Sequence, residues 1–116
     1  MRGEWGFDGI VFSDGSATQM IGHPPACGVD PVPAGEWGHC RTNYTADDDD
    51  SVAVAVKAGV DAQTGGVYFS QFLPSALASG KISATDIQNS SRRLFSNLLR
   101  LGLFDGAARD YTNGAW

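Results

Sequence analysis

Gly9-Ile10-Val11-Phe12-Ser13-Asp14 is the stretch on which the fold class turns. It is a short apolar run, β-branched in its middle and bounded by Gly9 and Gly15. Such a run predicts a strand buried on both faces, the kind that parallel sheets use. Asp14 stands where the apolar strand gives way to a Gly15-Ser16 loop. In parallel α/β folds ligands bind at the carboxyl ends of the strands, so an acid here is a candidate catalytic group; the competing reading is a turn or helix cap.

Working outward, Asp47 to Asp50 precede Ser51-Val52-Ala53-Val54-Ala55-Val56-Lys57-Ala58-Gly59. The valines alternate with a strand period. Three alanines, four leading acids, Lys57 near the end and a closing Gly instead match a helix whose dipole is complemented at both ends, and helix is the reading adopted. Val60-Asp61 then forms a very short second strand, followed by a Gly65-Gly66 turn. Phe69, Phe72, Leu73, Ala76 and Leu77 fall on one face of a helix that ends at Gly80. Pro74 fits that helix only if Ser70, whose carbonyl loses its donor, lies in the first turn or before it. Ser83 and Asp86 have the spacing of a capping box, and the helix they open is expected to bury Ile87, Leu94, Phe95, Leu98 and Leu101 before stopping at Gly102. Strand, helix, short strand, helix, helix implies an α/β fold with parallel strands.

Upstream of the acidic run, residues 15–50 read as a long irregular loop. It holds Pro24, Pro25, Pro31 and Pro33 and shows no periodicity, and loops of such length are usually functional or mobile. The 116 residues suffice for about one domain, and glycine, 15 of them, marks a turn-rich but folded chain. Net charge is −5 and unevenly placed: residues 1–60 carry three basic and nine acidic groups, residues 61–116 five and four. Without clustered cations the chain is not expected to bind nucleic acid or an anionic membrane. No apolar run approaches the ~20 residues of a bilayer span. The amino-terminal residues, with Glu4 early and no apolar stretch, do not form a signal peptide.

Several constellations invite chemistry and have plainer explanations. The aspartates at 47–50 fail the EF-hand pattern, since Val52 stands where a Gly is needed and Ala58 where a Glu is needed. His23, Cys27, His39 and Cys40 lack the paired spacing of a zinc site. Cys27 and Cys40 either close a loop worth about 3 kcal/mol or stay free thiols. Asn43-Tyr44-Thr45 and Asn89-Ser90-Ser91 are glycosylation sequons, a pattern common by chance. Trp5, Trp37 and Trp116 have the rings to stack on sugars or to pack. No metal and no cofactor is called for.

Arg2-Gly3-Glu4-Trp5-Gly6-Phe7-Asp8-Gly9-Ile10-Val11-Phe12-Ser13-Asp14 resembles the nucleophile segment of glycoside hydrolase family 3, the β-glucosidases and β-xylosidases. Ala55-Val56-Lys57-Ala58-Gly59-Val60-Asp61, and Arg92-Arg93-Leu94 through Leu101-Gly102-Leu103-Phe104-Asp105, resemble the same family in the same order. The last of these leans toward its β-xylosidase and arabinofuranosidase branch. The chain departs from the family at two places: Gly15 stands where the family has Trp or, in the xylosidase branch, Cys, which implies an altered first sugar subsite, and Ala62-Gln63-Thr64-Gly65 stands where xylosidase-like members show Leu-x-Cys-Gly.

The resemblance implies a fragment of a (β/α)8 TIM-type barrel, its last two βα units and terminal helices, over residues 1–105, with an interdomain linker beginning at 106–116. It implies that Asp14 is the nucleophile of a retaining glycosidase acting on β-linked glucosides or xylosides, with Gly15, Ser16 and Asp61 near the substrate. It also implies an acid/base carboxyl from a further domain, the remaining barrel upstream, and a secreted or extracellular enzyme. Glu4 and Glu36, the two glutamates of the chain, read as surface residues. Lacking those parts, the isolated chain is expected to hydrolyse little or nothing; the alternative is a non-catalytic remnant or a carbohydrate-contacting module.

Overall fold

The computed structural model describes residues 2–15, 17–22 and 42–104. In order they form α1 (Arg2–Trp5), β1 (Phe12–Ser13), α2 (Ala17–Met20), α3 (Asp48–Lys57), β2 (Ala62–Gln63), α4 (Tyr68–Ala78) and α5 (Ala84–Arg100). The result is a small mixed α/β unit, mostly helical. Its two strands pair in parallel, Phe12 opposite Ala62 and Ser13 opposite Gln63. The expected second strand therefore begins one residue beyond Val60-Asp61.

The acidic run starts α3 as the dipole argument requires. Asp47 is the N-cap, its Oδ1 accepting the Asp50 N–H at 2.7 Å, and Asp48 to Asp50 fill the first turn. That cap outweighs the strand-like alternation of the valines, because in helical form Val52, Ala53, Ala55 and Val56 all become buried. They pack with Tyr68, Phe69 and Ala76 of α4 and with Ile82, while Val60, Phe72, Leu73 and Ile87 close the margins. Tyr68 and Phe72 meet edge to face at 4.9 Å, and the Tyr68 hydroxyl donates to Asp48 Oδ1 at 2.8 Å, tying α4 to the start of α3. Lys81 pairs with Asp47 and Asp50 at 2.6 and 2.9 Å.

Pro74 lies inside α4, and Ser70 is in the first turn, so the condition set by its missing N–H is met. The capping box of α5 is present in full. Ser83 N–H donates to Asp86 Oδ2 at 2.9 Å, and Asp86 N–H donates to Ser83 Oγ at 3.2 Å.

Part of the 15–50 stretch is ordered structure. After the helical turn of α2, the chain returns at Thr42 to where it left at Gly22, through Thr42 N–H to Met20 O at 2.7 Å and Tyr44 N–H to Ile21 O at 3.0 Å. Thr45 Oγ1 donates to Ile21 O at 3.1 Å and meets Ser51 Oγ at 2.6 Å, so buried hydroxyls fasten this return to α3. His23, Cys27, Glu36, Trp37, His39 and Cys40 lie outside the described residues, as do Ser16 and Trp116. Among the described residues no helix is long and apolar enough to cross a membrane.

Two burial expectations fail in the same way. The run 9–14 is not covered on both faces, for Phe12 is 51% exposed. On α5, Ile87 joins the core, but Phe95 and Leu101 are exposed, with Leu99, Leu103 and Phe104 beside them. The best-developed helix interface is that between α3 and α4, whereas the end of α5 meets polar partners, Asp8 pairing with Arg100 at 2.8 Å, and no apolar layer among the described residues covers Phe12 or Leu99 and Leu101.

Candidate active site

Phe12 and Ser13 of β1 point to opposite faces of the strand, and Asp14 follows directly on its carboxyl end. Ser13 is buried, and Phe12 and Asp14 are exposed. The carboxylate of Asp14 is thus exposed at the carboxyl end of the sheet.

The backbone that carries it is held on every side. Ser13 O accepts from Thr64 N–H at 2.9 Å and from Thr64 Oγ1 at 3.1 Å. Asp14 O accepts from Ser13 Oγ at 3.0 Å and from Ala17 N–H at 3.1 Å, and Ser13 Oγ also meets Thr18 Oγ1 at 2.8 Å. The Gly15 N–H donates to Asp14 Oδ1 at 2.7 Å. Gly15 O accepts from Gln63 Nε2, whose Oε1 in turn accepts the Phe69 N–H at 3.0 Å at the start of α4. A Cβ at Gly15 would stand 3.0 Å from the Thr64 carbonyl, so a side chain there would press on the neighbouring strand.

Asp14 and Gly15 are therefore together, and Asp61 is apart from them. Asp61 enters β2 at its amino end, opposite Val11, three residues or about 10 Å along the sheet from the level of Asp14. Its carboxylate has no solvent exposure. Oδ2 accepts from Arg2 Nη2 at 2.5 Å and from Val11 N–H at 3.0 Å, and Oδ1 accepts from Arg93 Nε at 2.7 Å. Arg2 goes on to donate to Gly9 O and Gly59 O, each at 2.9 Å. Gly59 is required by this approach: its φ is +100°, and a Cβ would lie 2.9 Å from Arg2 Nε.

A cleft of about 360 Å³ also opens at the amino end, lined by Arg2, Lys57, Asp86, Asn89 and Arg93 among others, and not beside Asp14. Glu4 is exposed on α1. Among the described residues no three His, Cys, Asp or Glu side chains gather as metal ligands. Gln63, Thr64 and Thr18 were not legible as site residues. The available signal was the pairing of Gln63 with Ser13, which depends on a register that the sequence does not state.

Three relatives show what the chain is similar to. It is 33% identical to the periplasmic beta-glucosidase of Salmonella typhimurium over 90% of its own length and 11% of that protein's. It is 35% identical to probable beta-D-xylosidase 6 of Arabidopsis thaliana over 93% of the chain and 11% of the relative. With the periplasmic beta-glucosidase/beta-xylosidase of Dickeya chrysanthemi the identity is 34%, over 97% and 17%. This chain is homologous to a segment of the β-glucosidases and β-xylosidases. The resemblance to glycoside hydrolase family 3 is borne out by these relatives. The chain spans little more than a tenth of the length of most of the curated relatives it matches. No family model and no solved structure matches it.

Proposed function

We propose that this chain is the nucleophile-bearing segment of a retaining glycosidase of family 3, acting on β-linked glucosides or xylosides. The observation that carries the reading is the position of Asp14: an exposed carboxylate directly after the carboxyl end of a parallel strand. In a barrel that end is where substrates bind. On this reading residues 1–105 are the last two βα units and terminal helices of a (β/α)8 barrel, and residues 106–116 begin a linker to the next domain. The exposed Phe12 and the open end of α5 are the surfaces such a barrel would cover. Two relatives are named periplasmic, in keeping with an enzyme that works outside the cytoplasm.

The chemistry assigns Asp14 a single part. As the carboxylate it attacks the anomeric carbon while the glycosidic bond breaks, giving a glycosyl ester. A second carboxyl, about 5 to 5.5 Å away in retaining enzymes, protonates the leaving oxygen and then takes a proton from the water that cleaves the ester. That second group comes from outside this chain. The N–H of Gly15 keeps one carboxylate oxygen directed, and Gly15 lies at the edge of the sugar subsite.

The test exchanges residues 1–105 for the homologous segment of the Salmonella periplasmic beta-glucosidase. An activated 2-fluoro β-glucoside should leave a covalent label on Asp14, located by peptide mass spectrometry. Asp14→Asn in the same hybrid keeps the shape and removes the charge, and it should lower kcat by several orders of magnitude, on the scale of losing a covalent catalyst. A label on another carboxylate, or near-full activity of the Asn variant, rejects the assignment. A hybrid that folds, binds glucoside and never labels would mark the segment as a non-catalytic remnant.

A further inference from the structure

Glycine is the most mobile residue a chain can place beside a reacting group, because it takes up positive and negative φ with equal ease. Gly15 sits directly after Asp14, and the N–H that directs the Asp14 carboxylate is its own. The peptide on its amino side is fixed by Ser13 Oγ and Ala17 N–H, both donating to Asp14 O. On its carboxyl side the hold comes from a side chain 48 residues away, the Nε2 of Gln63.

The orientation of that amide follows from its partners. Gly15 O can only accept and Phe69 N–H can only donate, so Nε2 must face the first and Oε1 the second. Gln63 is thus a strut between the loop after β1 and the first turn of α4. Space around the strut is kept by glycine as well. Gly66 has φ +68°, and a Cβ there would lie 3.3 Å from Gln63 Nε2 and 3.6 Å from Gly15 O. A side chain at Gly66 would be strained by that φ and would press on the Gln63 amide.

We propose that Gln63 is a positioning residue for Asp14, acting by clamping the Gly15 carbonyl against the start of α4. This rests on the reading of Asp14 as nucleophile. With the clamp in place, the Gly15 backbone has one conformation and the carboxylate one direction; without it, the carboxylate samples directions in which attack is misaligned. Misplacement of a reacting group by about 1 Å costs up to ~100-fold in rate, while the binding of a sugar held by other residues changes little.

The experiment uses the Salmonella hybrid with Gln63→Glu and Gln63→Met. Glu keeps the acceptor for Phe69 and loses the donor to Gly15; Met is neutral, of similar length, and offers neither. Trapping by the 2-fluoro β-glucoside is followed against probe concentration. Both variants should slow trapping at saturation by about 10- to 100-fold, with half-saturation moving less than about threefold. Slowing by Glu alone would trace the effect to introduced charge, and unchanged trapping in both would show that the clamp does not position Asp14; either overturns the inference while Asp14 keeps its label. If the wild-type hybrid labels a different carboxylate, the nucleophile reading fails and this inference falls with it. Should the variants not fold as hybrids, amide exchange on the full chain decides. Gln63→Met should speed exchange at Gly15 and Ala17 and leave the middle of α5 protected, and unchanged exchange at Gly15 and Ala17 would overturn the proposal.

Discussion

The two ends of the same two-stranded sheet are built from different chemistry. At the amino end Asp61 is out of contact with water and both its oxygens are occupied by Arg2, Arg93 and the Val11 N–H. At the carboxyl end the partners are hydroxyls, main-chain groups and one amide, supplied by Thr18, Thr64, Gln63 and Ser13, and the one carboxylate, Asp14, is exposed. At the amino end one buried carboxylate draws in two guanidinium groups and so binds together segments far apart in sequence. Neutral donors at the carboxyl end orient a backbone without neutralising the carboxylate it carries. An end organised in the first way is suited to holding the sheet, and an end organised in the second way to presenting a reactive group.

The largest effect should come from removing the charge at the amino end. Asp61→Leu leaves two guanidinium groups beside a buried apolar side chain. Breaking a buried pair costs about 3–5 kcal/mol, and the low end applies because Arg2 and Arg93 retain 21% and 27% exposure. For a chain of this size that is enough to lose the folded state, and a urea titration followed by far-UV circular dichroism would register it. A loss below 1 kcal/mol would mean that the two ends are not energetically distinct.

A matched change at the carboxyl end should be much milder. Thr64→Val removes the Oγ1 bond to Ser13 O and leaves the Thr64 N–H on the same oxygen. One hydrogen bond of this kind contributes about 0.5–1.5 kcal/mol, so the urea midpoint should shift only slightly. A shift as large as that of Asp61→Leu would collapse the comparison.

The smallest effect is one of pH, and it separates the sheet from the helices around it. Lys81 beside Asp47, together with the Asp50 N–H, lowers the Asp47 pKa, and the Ser83 N–H and hydroxyl lower that of Asp86. A depressed carboxylate contributes stability that is fully present above its unfolded value and is lost as pH falls through the native one. Acidification below about pH 4 should therefore loosen the starts of α3 and α5 first. Amide exchange at Asp50 and Asp86 measured down that range checks the order, and earlier loss at Thr64 would contradict it.

How much of this was legible depends on range. The helix starts at Asp47 and Ser83, the break at Gly80 and the tolerance of Pro74 were readable, because each is decided by side chains within one turn of the backbone they serve. The resemblance over Arg2 to Asp14 was readable because a family motif is itself local. What the sequence could not convey was which of its apolar residues have company. Phe69 and Phe95 look alike on helical spacing; one is buried against α3 and the other lies in the open, since burial depends on a partner surface and periodicity reports only that one is wanted. Asp14 and Asp61 divide in the same way. Both are acids flanking short apolar runs, and only the parallel register, with Val11 level with Asp61 and Ser13 with Gln63, puts one at the charged end and the other at the open one. Arg2 and Asp61 are 59 residues apart, and Gly15 and Gln63 48. Contacts at that separation are made by tertiary structure, because a side chain's partner across the chain is set by where the backbone returns and not by its neighbours in sequence.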